Sequence, residues 1–551
     1  MVLNSPEATP SRALWIERLV LIVVAALYLW TFTPDNPNGD GWVYIRGVDG
    51  GSAVWNPNHL YMQPTGLLFT RFAGALGFGW STFVTLKVLS GLATLIALAL
   101  FHGTLARVWP GDRVARVAGT VGLFFSAHML SMALAEEFYI IQLPVLCGVL
   151  WCAVRWLDER RRSLLVAIGL LLAVVTGIQI NNAILAVAMG LWVGFESRAD
   201  RGRALRDVAA VWGPGLAIGL PLVLVPYVTT AGGQGLVAWL TSYQGRSDNA
   251  LRSLYGLQLT PAGIVKSLAT LAYGFAISLV GLGDLGTYGE TLLTGRALEF
   301  RPVYWSLAAT GVLFAAVGLG MLVVVAWWWR TGRRHALGRL AVVWILSYLL
   351  FNFLWVDTSD QFWGPMLPGL WLLVLAAAIG LAGRSATVPW RRILLVGVSL
   401  LLALGNTVSV AGHRAFVRTE ARRAEFVGLL RPGDLVVTTG WDDLAFLSWE
   451  DGAPYERIAL MDLALKGPPG QGPMRELPER LRAHLASGRR VVVARVFQAD
   501  REARPWEQMA RLKWSRARIV ELLRPFGRRP LGVIGSVQID ELTAGRSGST
   551  E

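Results

Sequence analysis

The apolar run Leu14–Phe32, LWIERLVLIVVAALYLWTF, and the stretch behind it, Thr33–Pro64, TPDNPNGDGWVYIRGVDGGSAVWNPNHLYMQP, decide how the whole chain is read. The run is about the length a helix needs to cross a bilayer and ends without a small-residue cleavage pattern, so it is a retained first span. The polar stretch holds Asp35, Asp40, Asp49, His59 and five glycines, and little that could build a core. It is read as the front wall of an active site. The plainer alternative is a solvated connector between two membrane helices, and the positions of the other acidic residues argue against it.

With 54% hydrophobic residues, 24 Trp and a mean hydropathy of +0.48 over 551 residues, the composition fits no soluble globular class. Repeated apolar runs of near-span length indicate a polytopic α-helical membrane protein. The formal net charge of +14 follows from membrane topology, so no nucleic-acid partner is expected. Cys147 and Cys152 lie five residues apart in one apolar run, off a shared helical face, and are expected to form neither a disulfide nor a metal site.

Further spans are read near 80–101, 114–132, 138–156, 163–180, 183–195, 207–229, 303–329, 340–355, 363–382 and 393–411, about eleven in all with the first. Arginine placement orients them with the N-terminus in the cytoplasm. Arg107 and Arg113, Arg160 to Arg162, Arg198 to Arg206, Arg330 to Arg339 and Arg384 to Arg392 then fall on the inner side, and the run 262–281 is re-entrant or interfacial. Residues 1–411 form the membrane domain, with outer loops 33–79 and 230–302. Residues 412–542 form an extracytoplasmic α/β domain, and 543–551 a disordered tail. The span interiors read as nearly free of charge, Lys87 being the main exception.

In this topology Asp40 and Asp49, Glu136 and Glu137, and Asp357 and Asp360 all fall on the outer face, at or near span ends. Carboxylates at such depth are costly unless paired or hydrated, so a convergent set is a candidate functional site. Arg246 and Arg252, in the long outer loop, could hold a phosphate or contact lipid headgroups. Trp42 and Tyr61 offer flat faces to a sugar ring, or serve as members of an interfacial aromatic belt.

After Gly412 the patterning alternates: GDLVVTTG, ERIALMDLA, a helical ELPERLRAHLASG, RRVVVARVF, a long helix near 505–525 and a final LGVIGSVQI. This is the pattern of a small α/β domain, with no nucleotide or metal motif.

The series GD-x-x-x-Y (Gly39–Tyr44), NPNHLYMQPTG, AEEFY, GIQINNAIL and DTSDQFWGPMLPGLW resembles the GT-C superfamily of membrane glycosyltransferases, and more narrowly its bacterial members similar to protein O-mannosyltransferases. The resemblance covers roughly residues 14–411. It implies a bacterial cytoplasmic-membrane transferase that uses a polyprenyl-phosphate-linked sugar and an extracytoplasmic glycan, lipid or protein acceptor, among membrane lipids. Asp40 matches the family's outer-loop base, Glu137 the acidic residue of its E-x-Y element, and His59 its histidine. His59 is followed by Leu-Tyr-Met-Gln-Pro instead of directly by Pro, and Gln179-Ile-Asn-Asn stands where many relatives carry a histidine. Arg46 would help keep Asp40 ionised, and no cofactor is required, although paired carboxylates could bind a divalent ion. A non-catalytic scaffold or sensor, or a transporter or flippase for lipid-linked substrates, is the alternative class. One-sided acidic residues and the lack of an inverted repeat favour the enzyme.

Overall fold

The structure is a computed structural model that describes residues 12–33, 41–50, 59–134, 138–230, 323–354, 362–381, 389–416, 425–439, 455–465, 472–497, 512–534 and 537–545, with a few isolated positions between them. It divides into two compact units, a helical one that ends at Arg414 and a second made chiefly of the chain from Ala415 on.

The helical unit contains α1 (Arg12–Phe32), α2 (Gly41–Gly50), α3 (Met62–Ala75), α4 (Thr82–Val108), α5 (Arg113–Phe124), α6 (Ala127–Leu134), α7 (Gln142–Glu159), α8 (Arg162–Ile178), α9 (Asn182–Glu196), α10 (Arg201–Thr230), α11 (Ala336–Leu354), α12 (Leu367–Leu381) and α13 (Pro389–Phe416). Among the described residues four helices are long and apolar enough to cross a membrane: Arg12–Phe32, Thr82–Val108, Tyr139–Glu159 and Arg201–Thr229. The expected span 114–132 is instead the pair α5 and α6, bent by 59° at Phe125–Ser126, and five further apolar helices are shorter. Among the described residues the expected count of about eleven spans is therefore not confirmed. The run 262–281 lies outside the described residues. The outer loop 33–79 is not open connector throughout, because α2 and α3 occupy much of it, and α3 presents Leu68 and Phe72 outward.

Short connections force α7, α8, α9 and α10 to run antiparallel. Where α8 crosses α10, Gly169 meets the Val211 carbonyl so closely that a Cβ would fall inside its van der Waals contact, and Gly215 lies opposite. Small residues permit this approach, which maximises dispersion contact where lipid offers no hydrophobic gain.

Two of the expected spans carry buried charge, Glu17 in the first and Arg116 in 114–132, while the other ion pairs lie at helix ends. Glu17 of α1 is buried and accepts from Arg116 of α5 (Nε 3.0 Å, Nη2 3.1 Å) and from His102 Nε2 of α4 (2.8 Å). Arg107 pairs with Asp158 (3.0 Å), and Arg339 grips Glu196 with both nitrogens (2.6 and 2.8 Å). These pairs gather at the end of the bundle where α1 begins and α4 ends.

The second unit is a five-stranded sheet of order β2-β1-β3-β5-β4. Strands β1 (Leu435–Thr438), β2 (Glu456–Ala459) and β3 (Val491–Ala494) are parallel, and β5 (Val537–Thr543) is antiparallel to both β3 and β4 (Gly527–Ile534). Phe426, Val436, Val492 and Ile539 are part of its core. Three expectations change. LGVIGSVQI is two antiparallel strands, and Thr543 closes β5 against Gly527 instead of opening a tail. The long helix near 505–525 is interrupted: Lys513 adopts a left-handed φ of 62°, Trp514 N–H returns to Met509 O (2.8 Å), and Ser515 caps a new helix, Arg516–Leu523. A serine in extended backbone that accepts from the third helical N–H is a favoured helix start.

At Gly169 a side chain would press on backbone, which cannot swing aside, so Gly169→Ala should lower the unfolding midpoint by about 3 °C or more. Gly91→Ala, which would meet nothing within 4 Å, should leave it in place or raise it slightly. Thermal unfolding of both variants in detergent checks this.

Candidate functional site

The end of the bundle opposite the ion pairs is assembled on neutral polar groups. Its first component is the segment His59–Tyr61. Tyr61 N–H donates to Gly177 O (3.1 Å), one of the last carbonyls of α8, which has no partner within its own helix. The Tyr61 hydroxyl donates to Leu222 O (2.9 Å). That carbonyl is free because the residue four positions on is Pro226, which has no N–H. Burial pushes the Tyr61 phenol up to about 12, and one edge of its ring fills the face of Gly177. Tyr61 thus fastens α8 to α10 at this end.

His59 Nε2 lies 3.3 Å from the Tyr139 hydroxyl, with the two rings edge to face at 5.3 Å. Tyr139 in turn meets Phe362 at 6.0 Å. Burial pulls the His59 imidazole down to about 4, opposed by the Ile178 backbone, so it is neutral at pH 7. A neutral imidazole can give or take one hydrogen bond; it offers no positive charge to a phosphate.

The second component is Asn182, at the start of α9. Its amide donates to Gln142 Oε1 of α7 (2.9 Å) and to Val175 and Gln179 carbonyls of α8 (both 3.0 Å), and its oxygen accepts from the Tyr348 hydroxyl of α11 (2.6 Å). One side chain therefore fixes four helices. Around it, His59 Nδ1, Gln142 Nε2 and both amide atoms of Gln179 and of Asn181 are buried without a well-formed hydrogen bond. Each such atom costs about 1–3 kcal/mol.

Of the residues expected in the site, His59 and Tyr61 are together at this end. Asp49 is exposed in the last turn of α2, and its carboxylate accepts from the Thr82 hydroxyl at the start of α4. Trp42 and Arg46 stand on α2, with nothing described of their side chains. Asp40, Glu136, Glu137, Arg246, Arg252, Asp357 and Asp360 lie outside the described residues. Tyr139 and Phe362, each two positions past one of these acidic residues, are the ring pair already noted, so the flanks of two acidic segments meet. Among the described residues no group of three or more His, Cys, Asp or Glu could hold a metal.

The amide network went unread in the sequence except as a departure from a family pattern. The signal was present: three amides in Gln179-Ile-Asn-Asn, at the end of an apolar run, have no low-cost place in a membrane helix bundle.

Because His59 is held near 4 while an ordinary imidazole titrates near 6.5, the unfolded chain binds more protons between those values. Stability is therefore full above about pH 6.5 and falls by up to about 3 kcal/mol as pH drops toward 4. His59→Asn should flatten this acid limb, measured as the unfolding midpoint between pH 4 and 7; an unchanged slope would contradict the enclosure of His59.

No family model and no curated protein matches the chain by sequence. Among solved structures, the fold is similar to that of ArnT from Cupriavidus metallidurans bound to undecaprenyl phosphate, with TM-score 0.53 and 13% identity over 98% of this chain and 100% of that one. The apo state of ArnT gives 0.54 and 15% over 97% and 99%. The apo Archaeoglobus fulgidus oligosaccharyltransferase gives 0.50 and 13% over 93% and 73%. The chain thus shares the fold of these solved structures over nearly its full length.

Proposed function

We propose that this chain is a membrane glycosyltransferase that moves a sugar from a polyprenyl-phosphate-linked donor to an extracytoplasmic glycan, lipid or protein acceptor. The observation that carries the reading is the agreement in fold with ArnT, crystallised with undecaprenyl phosphate, over nearly the full length of both chains. Shared fold does not supply chemistry, so the roles rest on residues.

Asp40 is the general base. It takes the proton of the acceptor hydroxyl as that oxygen bonds to the anomeric carbon. The bond from that carbon to the phosphate oxygen breaks, and the lipid phosphate leaves with the electron pair. Gly39 and Gly41 let backbone and substrate approach closely, and Arg46 favours the ionised carboxylate. Arg246 and Arg252 offset the charge of the departing phosphate. Glu136, Glu137, Asp357 and Asp360 are assigned to holding acceptor and sugar, and neutral His59 to a hydrogen bond. The scheme needs no metal.

The arginine pattern places the N-terminus in the cytoplasm and the domain after Arg414 outside. With Cys147 and Cys152 buried, engineered thiols can be read against a silent background. An impermeant reagent added outside should label Ala486→Cys and spare Ala199→Cys; labelling of Ala199→Cys would reverse the topology.

Asp40→Asn should leave expression and thermal stability nearly unchanged and cut sugar transfer from a polyprenyl-phosphate donor by roughly 10²–10⁴-fold, the usual contribution of a general base. Asp49→Asn should cost far less, because an amide oxygen still accepts from Thr82. Full transfer by Asp40→Asn would move the base to Glu137, and lipid movement without bond cleavage would replace the enzyme with a flippase.

A further inference from the structure

The turn Gln179–Asn182 between α8 and α9 holds four buried polar atoms without partners, more than any other stretch among the described residues. Gln179 is 2% and Asn181 5% exposed. Their side chains are not what shapes the turn. That work falls to Asn182 and to the backbone bonds Asn182 N–H to Gln179 O (3.1 Å), Ala183 N–H to Ile180 O (3.0 Å) and Ile184 N–H to Asn181 O (3.2 Å). For packing alone, apolar side chains of the same size would serve better.

A further unpartnered amide group lies beside this turn. Asn182 holds Gln142 by its oxygen and leaves Nε2 spare, and Tyr61 N–H on Gly177 O ties the segment bearing His59 to the last turn of α8, two residues before Gln179. Two complete amides and one amide N–H₂ offer both donors and acceptors. No charged side chain among the described residues bonds to any of them. A phosphate would call for cations, whereas a hydroxyl, which both gives and takes a hydrogen bond, matches an amide.

We propose that Gln179 and Asn181, with Gln142 Nε2, form a subsite that reads the hydroxyls of a neutral sugar ring. The assignment rests on the transferase reading above and names what that site recognises. Filling the subsite satisfies atoms that are otherwise stranded, so a ring lacking the matching hydroxyls is rejected more strongly than a merely smaller one would be.

The test uses the full chain in lipid nanodiscs, with Gln179→Leu and Asn181→Leu beside the parent. Undecaprenyl phosphate and undecaprenyl-phosphate-linked hexoses are titrated as donors and maltose as an acceptor mimic, with unfolding midpoints recorded. Both variants should bind the sugar-free lipid as the parent does. They should lose the extra affinity conferred by the hexose, about tenfold or more, while the midpoint without ligand stays level or rises. Loss confined to maltose would assign the same subsite to the acceptor's ring. Parent-like binding of every sugar would overturn the inference. So would a fallen midpoint with equal loss for both lipids, the mark of amides that bridge through buried water. A parent that binds neither lipid would instead sink the transferase reading itself.

Discussion

Glu17 sits inside an apolar helix, and a lone ionised carboxylate there would cost several kcal/mol even after relaxation. Its two oxygens are therefore occupied by Arg116, with His102 and Arg113 adding further contacts (2.8 and 3.2 Å). His102 gives Nε2–H to the carboxylate, which leaves Nδ1 to accept from Arg18 at 3.5 Å. The first helix is thereby fixed to α4 and α5 at one end. Removing the carboxylate alone would strand the buried Arg116 guanidinium, a loss of about 3–5 kcal/mol, whereas replacing the whole set with apolar residues could be neutral. Such a cluster acts more as a register device than as a source of stability.

The two ends of the bundle obey this constraint differently. Ion pairs staple the end where Glu17, Arg107 and Arg339 lie; at the other, neutral hydroxyls and amides do the joining, through Tyr61 on Leu222 O and Asn182 on Gln142. Pro226 is central to that second arrangement. By lacking an N–H it releases the Leu222 carbonyl, and Tyr61 takes it up. A missing backbone hydrogen bond that would be a defect in isolation becomes the anchor for the segment carrying His59.

Apolar runs and arginine clusters made the membrane class legible, because both are composition signals that survive without geometry. The strand patterns of the second unit were legible for the same reason. Four other features were not. The bend at Phe125–Ser126 and the break at Lys513–Ser515 depend on local backbone geometry, a left-handed residue in one case, that an apolar pattern does not encode. The pairing of Glu17 was not legible because its partners are 85 and 99 positions away. His59 was legible as a site residue, but its neutrality was not, since that follows from enclosure by α8 and Tyr139.

That neutrality constrains the division of labour in the proposed reaction. With His59 held near 4, and with Gln142, Gln179, Asn181 and Asn182 uncharged, this wall of the site has nothing with which to offset a phosphate. In the proposed scheme charge compensation comes from elsewhere in the chain, from Arg46, Arg246 and Arg252 of the expected outer loops. The proposal thus assigns sugar reading and leaving-group stabilisation to different residues with different physics. The first depends on short, directional hydrogen bonds and is insensitive to salt. The second is coulombic and is screened wherever it is exposed. A substitution in the amide wall should therefore change which sugar is accepted and spare the affinity for the lipid phosphate, and one among the arginines should do the reverse.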